Sequence, residues 1–456
     1  MASSDQSTLA GAGFSARELE EWSASLPEPG ASLHAAARSM SEFVTRGASI
    51  LERLPKPPRR SAGERTAART ISESLNRARE MFLSSYAGDL YEQLTGSYRK
   101  ALRLEELVEA AATSVPGLAP TRAQLDAERG LKLAEKEGIE LAQGLLISSV
   151  LASPQAGRHL LETMLEPTPE AVELLEQFRS TGAVDLGAAR VTRIGQAGLL
   201  ELSNPRHLNA EDGATLRPTE IAVDLVLLDP EIEVGVFRGA VVDHSRYAGT
   251  RVFGSGINLT YLYHGKIDFL FYLTRDLGYV NKLYRGVRDR GEEREKLWIA
   301  AVEQFAIGGA CQLLHVMDHV IATRGARLYL PARKEGIIPG ASNLRLPRFV
   351  GDRAARQAIL SGREWTAGDP DAELLCDEVV APDDLEGALW ARVQALTSSG
   401  LVNAAANRRA MRVGAEPLDL FREYMAAYAR EQAYCHLSPA LVRNLKEHWN
   451  ADRRSL

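Results

Sequence analysis

The chain has 456 residues, with 54 Lys+Arg against 60 Asp+Glu and a formal net charge of −6. Its 45% hydrophobic and 25% charged residues read as a soluble globular protein, which excludes a wholly disordered chain and a large nonspecific nucleic-acid binder. Cys311, Cys376 and Cys435 are far apart and form no CxxC pair, so a disulfide scaffold is excluded and a reducing, cytoplasmic setting is expected. The opening MASSDQSTLAGAG lacks a basic stretch followed by an apolar run, so no signal peptide is expected. No 18-residue uncharged apolar stretch exists to span a membrane.

The first 12 or so residues are small and polar and are expected to fray. Two helical patterns follow, split by Pro27, Pro29 and Gly30. The proline-rich run at 56–64 reads as a solvated hinge, since its prolines do not fit a helix interior. From Arg65 onward apolar residues recur three and four apart, and helices are expected through 101–112, 121–152 and 156–180. Residues 1–183 therefore form an expected helical domain. After Gly182 the period changes. ARVTRIGQAGLLELSNP predicts two strands with a turn near Gly195, a helix follows at about 216–229, and EVGVFRGAV is a buried strand. That order indicates an α/β unit. WIAAVEQFAIGG reads as one strand entering a turn and CQLLHVMDHVIAT as a helix. ARLYLPARKEGIIPG gives another strand and LPRFVGDRAARQAILSG another helix, which closes a core over 184–385. Residues 386–456 are mostly helical.

Two glycine segments stand out. In RVFGSGINLT, residues 251–260, Gly254 and Gly256 permit backbone angles denied to other residues. The loop either exposes amide donors to an anionic oxygen or is simply a tight turn. In FAIGGACQLL, residues 305–314, a strand runs into paired glycines and a helix start. This is a second donor-rich corner or a structural one. Neither GxGxxG nor GxxxxGK[ST] is present. His315 and His319 lie four apart on the predicted helix, but HVMDH is not HExxH, and packed histidines fit an apolar helix better than a metal site. His264 is a candidate to line a pocket. Cys311 follows two glycines and an alanine and reads as a small buried residue. Ser342 lies in GASNL, not GxSxG, so no nucleophile elbow is present.

These segments resemble the crotonase, or enoyl-CoA hydratase, superfamily. The broad resemblance spans about 185–385. A closer one, to its cofactor-independent aryl-acetyl-CoA dioxygenases of antibiotic biosynthesis, rests on HSRYAGTRVFGSGINLTYLYHGKI, RDLGYVNKLYRG and LPARKEGIIPGASNLRLPRFVG. The resemblance implies an α/β crotonase-like spiral of ββα units, with the N-terminal helical domain and C-terminal helices as additions. It places the thioester oxygen between the amides of Ile257 and Gly309. The two carboxylates that hydratases use for water fall here on Gln312 and Ala332, with Glu335 three residues out of register. Hydration needs a group that accepts a proton. An amide and a methyl cannot supply it, so the thioester site remains while hydratase chemistry does not.

What the resemblance implies is an enolate formed from an aryl-acetyl-CoA, which reacts with O2 without metal, flavin or nicotinamide. Substrate contacts implied with it are Glu211, His244 and Arg275 toward the ring, Gln312 toward substrate or water, and Arg206 toward a CoA phosphate. Leu259 and Ile338 supply apolar walls. The competing readings are an acyl-CoA isomerase or thioesterase using the same amide pair, and a noncatalytic scaffold. Relatives of this kind imply a homo-hexamer built from trimers, with the apolar positions of LFREYMAAYAREQAYCHLSPALVRNLKEHW packed on a neighbour. No nucleic-acid or membrane partner is implied.

Overall fold

The computed structural model describes residues 15–28, 32–398, 401–454 and 456. The expected frayed start and part of the Pro29–Gly30 break lie outside them. Eight helices lead the chain, α1 to α8: Ala16–Ala24, Leu33–Glu52, Ala62–Leu94, Leu104–Ser114, Arg122–Glu128, Leu141–Ala152, Pro154–Met164 and Pro169–Thr181. Helix α3 starts on a Ser61–Glu64 capping box, which satisfies the orphan amides of its first turn. The expected helix over 121–152 is interrupted between α5 and α6, where Gly138 takes φ +86°. The one over 156–180 is two helices, because Thr168 caps α8 and Pro169 occupies its first turn. The run at 56–60 is not solvated throughout: Arg60 is buried and pairs with Glu137 at 2.7 Å.

The main sheet has the order β1-β2-β3-β4-β7-β9-β12. Its strands are β1 Ala183–Asp185, β2 Ala189–Ile194, β3 Ala197–Leu202, β4 Val234–Gly239, β7 Leu297–Val302, β9 His319–Thr323 and β12 Glu378–Val380. The first three are antiparallel and the rest are parallel. Every residue of β4 and β7 is buried, as strands covered on both faces require. β5 Val287–Asp289 and β6 Glu292–Arg294 form a hairpin. β8 Phe305–Ile307, β10 Arg327–Tyr329 and β11 Glu364–Thr366 form a second sheet.

Two expectations are corrected here. WIAAVEQFAIGG is two strands in different sheets, with Gln304 at φ +61° between them. CQLLHVMDHVIAT is a helix only to Leu314, after which His319–Thr323 is strand β9. The carboxyl of Asp318 takes the Trp298 N–H at 2.8 Å, and its own N–H donates to the Trp298 carbonyl, so β7 captures the segment. His315 and His319 therefore do not share a helix face. His315 is buried against the Ser342 hydroxyl, and burial pushes it down to about 3. His319 meets Glu378 across the sheet. His264 meets the Arg454 carbonyl. Cys311 is buried and pushed up to about 12.

Further helices are α9 Gly213–Leu228, α10 Leu259–Tyr263, α11 Leu270–Leu277, α12 Tyr279–Arg285, α13 Gly309–Leu314, α14 Ala332–Glu335 and α15 Ser342–Arg356. The C-terminal ones are α16 Leu385–Thr397, α17 Leu401–Ala415, α18 Leu418–His436 and α19 Pro439–Trp449. The apolar stripe of α18, expected to face a neighbouring subunit, instead buries Phe421, Met425, Ala429 and Ala433 within its own chain. It crosses α6 at Gly144, where a Cβ would stand 2.4 Å from that of Ala433, so only glycine allows this approach. One apolar cluster thus joins the N-terminal helices, α10, α11 and α18. The α/β fold, with its N-terminal helical region, mixed sheet and C-terminal helices, is as the sequence predicts. No described helix is long and apolar enough to cross a membrane.

Candidate active site

The two glycine corners meet. The Gly254 N–H donates to the Phe305 carbonyl at 3.3 Å, and the Ile307 N–H donates to that of Gly254 at 3.1 Å. Gly256 sits at φ +79°, and a Cβ on it would lie 2.8 Å from the Ile307 carbonyl oxygen and 3.0 Å from the Gly309 nitrogen. Glycine is therefore required both for the backbone angle and for the contact. Gly308 turns β8 into α13 at φ +55°. Around this junction the backbone groups pair: Glu211 N–H with Gly256, Asn258 N–H with Glu211, Gly308 N–H with Tyr329. The N–H groups of Ile257 and Gly309 have no acceptor among the described residues. Ile257 is buried and Gly309 half-buried, and a buried donor without an acceptor is rare in a folded chain.

Both amides border an inner cavity of about 30 Å³, also lined by Glu211, Arg275, Gln312 and Ile338. Arg275 organises it. Its Nε and Nη2 donate to Glu211 at 2.6 and 2.9 Å, and its Nη1 to Asp276 and Gln312 at 3.0 Å each. Nη2 also reaches the Gly309 carbonyl at 2.7 Å, which fixes the second corner. Tyr279 donates its hydroxyl to Glu211. Burial pulls Arg275 down, but the carboxylate of Glu211 holds it well above its ordinary value. Burial pushes the Tyr279 hydroxyl well up, so it stays a donor.

An outer cleft of about 460 Å³ carries Arg206, His244 and Leu259 on its walls, and Ile257 and Glu335 line both spaces. Arg246, Arg327, Lys334 and Arg454 also border the cleft, against the single carboxyl of Glu335, so it suits a polyanion. The nine residues singled out in the sequence thus fall on two adjoining cavities: Ile257, Gly309, Gln312, Glu211, Arg275 and Ile338 on the inner, Arg206, His244, Leu259 and again Ile257 on the outer. Sequence reasoning missed Tyr279, whose contact with Glu211 spans 68 positions and leaves no local signal. It also passed over Glu335. The signal there was its spacing, since three residues past Ala332 on one helical turn is the same face. Among the described residues no group of three or more His, Cys, Asp or Glu is placed to hold a metal ion.

The family model for Enoyl-CoA hydratase/isomerase matches residues 197–436. A (3,5-dihydroxyphenyl)acetyl-CoA 1,2-dioxygenase of Amycolatopsis orientalis is 46% identical over 401 residues, which cover 87% of this chain and 92% of that protein. The chain belongs to the crotonase superfamily. A probable enoyl-CoA hydratase of Rhizobium meliloti (strain 1021) is 32% identical over 200 residues, 43% of this chain and 70% of that one. The crystal structure of carnitinyl-CoA hydratase from Mycobacterium avium matches with a TM-score of 0.48 at 24% identity, covering 59% of this chain and 97% of that one. The dioxygenase match, over 401 residues, runs well beyond the stretch 197–436 and takes in helices outside it as well. This crotonase is closely related to that dioxygenase.

Proposed function

We propose that the protein is a cofactor-independent dioxygenase that converts (3,5-dihydroxyphenyl)acetyl-CoA and O2 into 3,5-dihydroxyphenylglyoxylate and CoA. The observation that carries the reading is the pair of unpartnered amides, Ile257 and Gly309, at a cavity that holds Gln312 where a hydratase carboxylate is expected. The basic outer cleft, with Arg206 on its wall, takes CoA and gives room for the aryl group, while the reacting end of the substrate faces the inner cavity that Glu211 and Arg275 line. Leu259 and Ile338 supply apolar wall, and His244 stands at the outer mouth.

Loss of an α proton gives an enolate whose oxygen accepts from both amides. Donors fixed where charge develops, in a site that excludes water, lower that barrier. The enolate gives one electron to O2, and the two radicals combine into a peroxide at the α carbon. The peroxide oxygen attacks the thioester carbonyl and expels CoA thiolate. Breaking the O–O bond with loss of the second α proton leaves the keto acid, so both oxygen atoms are retained. Metal-stripped protein under ¹⁸O2 is expected to yield arylglyoxylate carrying two labels and one CoA per turnover. Unlabelled arylacetate as the product would replace this reading with a thioesterase.

Gln312→Glu is expected to gain no enoyl-CoA hydration, since residue 332 still has only a methyl group. The added charge competes for Arg275 and stands beside a developing anion, so oxygenation should fall roughly tenfold or more, equivalent to about 1.4 kcal/mol of barrier. Measurable hydration by this variant would contradict the reading of the two missing carboxylates.

A further inference from the structure

Three carboxyls reach the inner cavity, and two of them are engaged. Glu211 is held by Arg275 and Tyr279, and Asp276 by Arg275. The third, Glu335, is buried, yet its carboxyl has neither an ion pair nor a hydrogen bond among the described residues. It ends helix α14 and lines both the inner cavity and the outer cleft. We propose that Glu335 is the base that takes the α proton of the bound thioester, an assignment that rests on the enolate reading above.

The geometry carries it. The Glu335 Oε1 and Oε2 stand 3.4 and 3.9 Å from the point where a Cβ on Gly308 would lie. Gly308 immediately precedes the amide donor at Gly309. The α carbon of a thioester is two bonds from the oxygen those amides would hold, which brings its C–H within reach of a carboxyl on this side of the corner. Glu211 flanks the other side, with Oε1 2.6 Å from the Cβ point of Gly309, but protonating it would break the pair with Arg275. A buried carboxyl with no partner loses its hydration without compensation. Burial alone pushes Glu335 up to about 7. Near neutral pH such a group is both ionised often enough to accept a proton and basic enough to hold it. In the step the α C–H bond breaks, its electron pair stays as the enolate, and the proton bonds to a Glu335 oxygen. From there it leaves to water through the outer cleft that Glu335 also lines.

Glu335→Gln tests this in the full chain. It keeps the shape, removes the acceptor, and relieves an uncompensated buried charge, so the fold is not put at risk. Two rates are read with (3,5-dihydroxyphenyl)acetyl-CoA: α-deuterium uptake from D2O under nitrogen, by NMR, and single-turnover oxygen consumption. Both are expected to fall by about 10²–10⁴-fold, with partial recovery in Glu335→Asp and unchanged affinity for the corresponding CoA thioether. Exchange by Glu335→Gln at the wild-type rate would overturn the assignment. Wild-type exchange without oxygen uptake would overturn the dioxygenase reading instead, and the comparison of the two exchange rates would still decide on Glu335. A wild type that neither exchanges nor consumes oxygen would overturn both.

Discussion

A CoA thioether carrying the same aryl group is expected to bind, to consume no oxygen, and to keep its α protons in D2O. The donors of Ile257 and Gly309 belong to the main chain, so no side-chain deletion removes them. Proline at 309 would delete one N–H but would also restrain the turn that begins α13. Altering the ligand is cleaner. The thioether keeps the pantetheine arm and the aryl group, and so its contacts in the cleft, but it has no carbonyl oxygen. One well-placed donor is worth roughly 2.7–4 kcal/mol in such a transition state. Removing the acceptor forfeits both donors and the acidity of the α carbon together. Calorimetry should register binding while an oxygen electrode registers nothing. Oxygen uptake at a rate comparable to the thioester would rule out the enolate route.

The second large effect concerns stability. Lys282→Met should cost about 3–5 kcal/mol, because removing one partner of a buried ion pair strands the other. Lys282 is fully buried and its Nζ reaches Asp224 at 2.8 and 3.0 Å and Glu220 at 2.8 Å. Asp224 also accepts the Thr168 N–H, and Glu220 accepts from Arg103, so the knot ties α12 to α9, α8 and α4. Burial pushes Glu220 up, but Lys282 and Arg103 outweigh it and hold it below its ordinary value. For Asp224 burial wins, even with Lys282 present. In the variant Asp224 loses its cation, and its folded pKa rises further above the unfolded one. A carboxyl of that kind favours the folded state at low pH and loses that contribution as pH rises. The gap between variant and wild type should therefore narrow on going from pH 7 to pH 5. Urea midpoints at the two pH values measure it, and an unchanged midpoint at pH 7 would refute the account.

The strands in ARVTRIGQAGLLEL were legible because inside and outside alternate along Ala189, Arg190 and Val191. The apolar run at 311–323 was not, because helix and buried strand look alike over so short a length, and the choice rests on pairing with Trp298 from elsewhere in the chain. The glycine corners were legible because their geometry is local: Gly256 and Gly308 carry the backbone angles themselves. The pairing of Glu211 with Arg275, 64 residues apart, was visible only as two separate candidates. The stripe on α18 announced that it must be covered, but periodicity does not say by what, and Gly144 on α6 supplies the answer.

The shared apolar cluster limits how this fold can be recombined. Ile257, Tyr272 and Tyr428 belong to the same packed unit as Leu83, Leu107 and Leu146. A stretch such as 197–436 is thus not a portable cassette, although it is the stretch a family comparison outlines. Transplanted alone, it would carry the face of α18 that fits over Gly144 without the helix that holds Gly144.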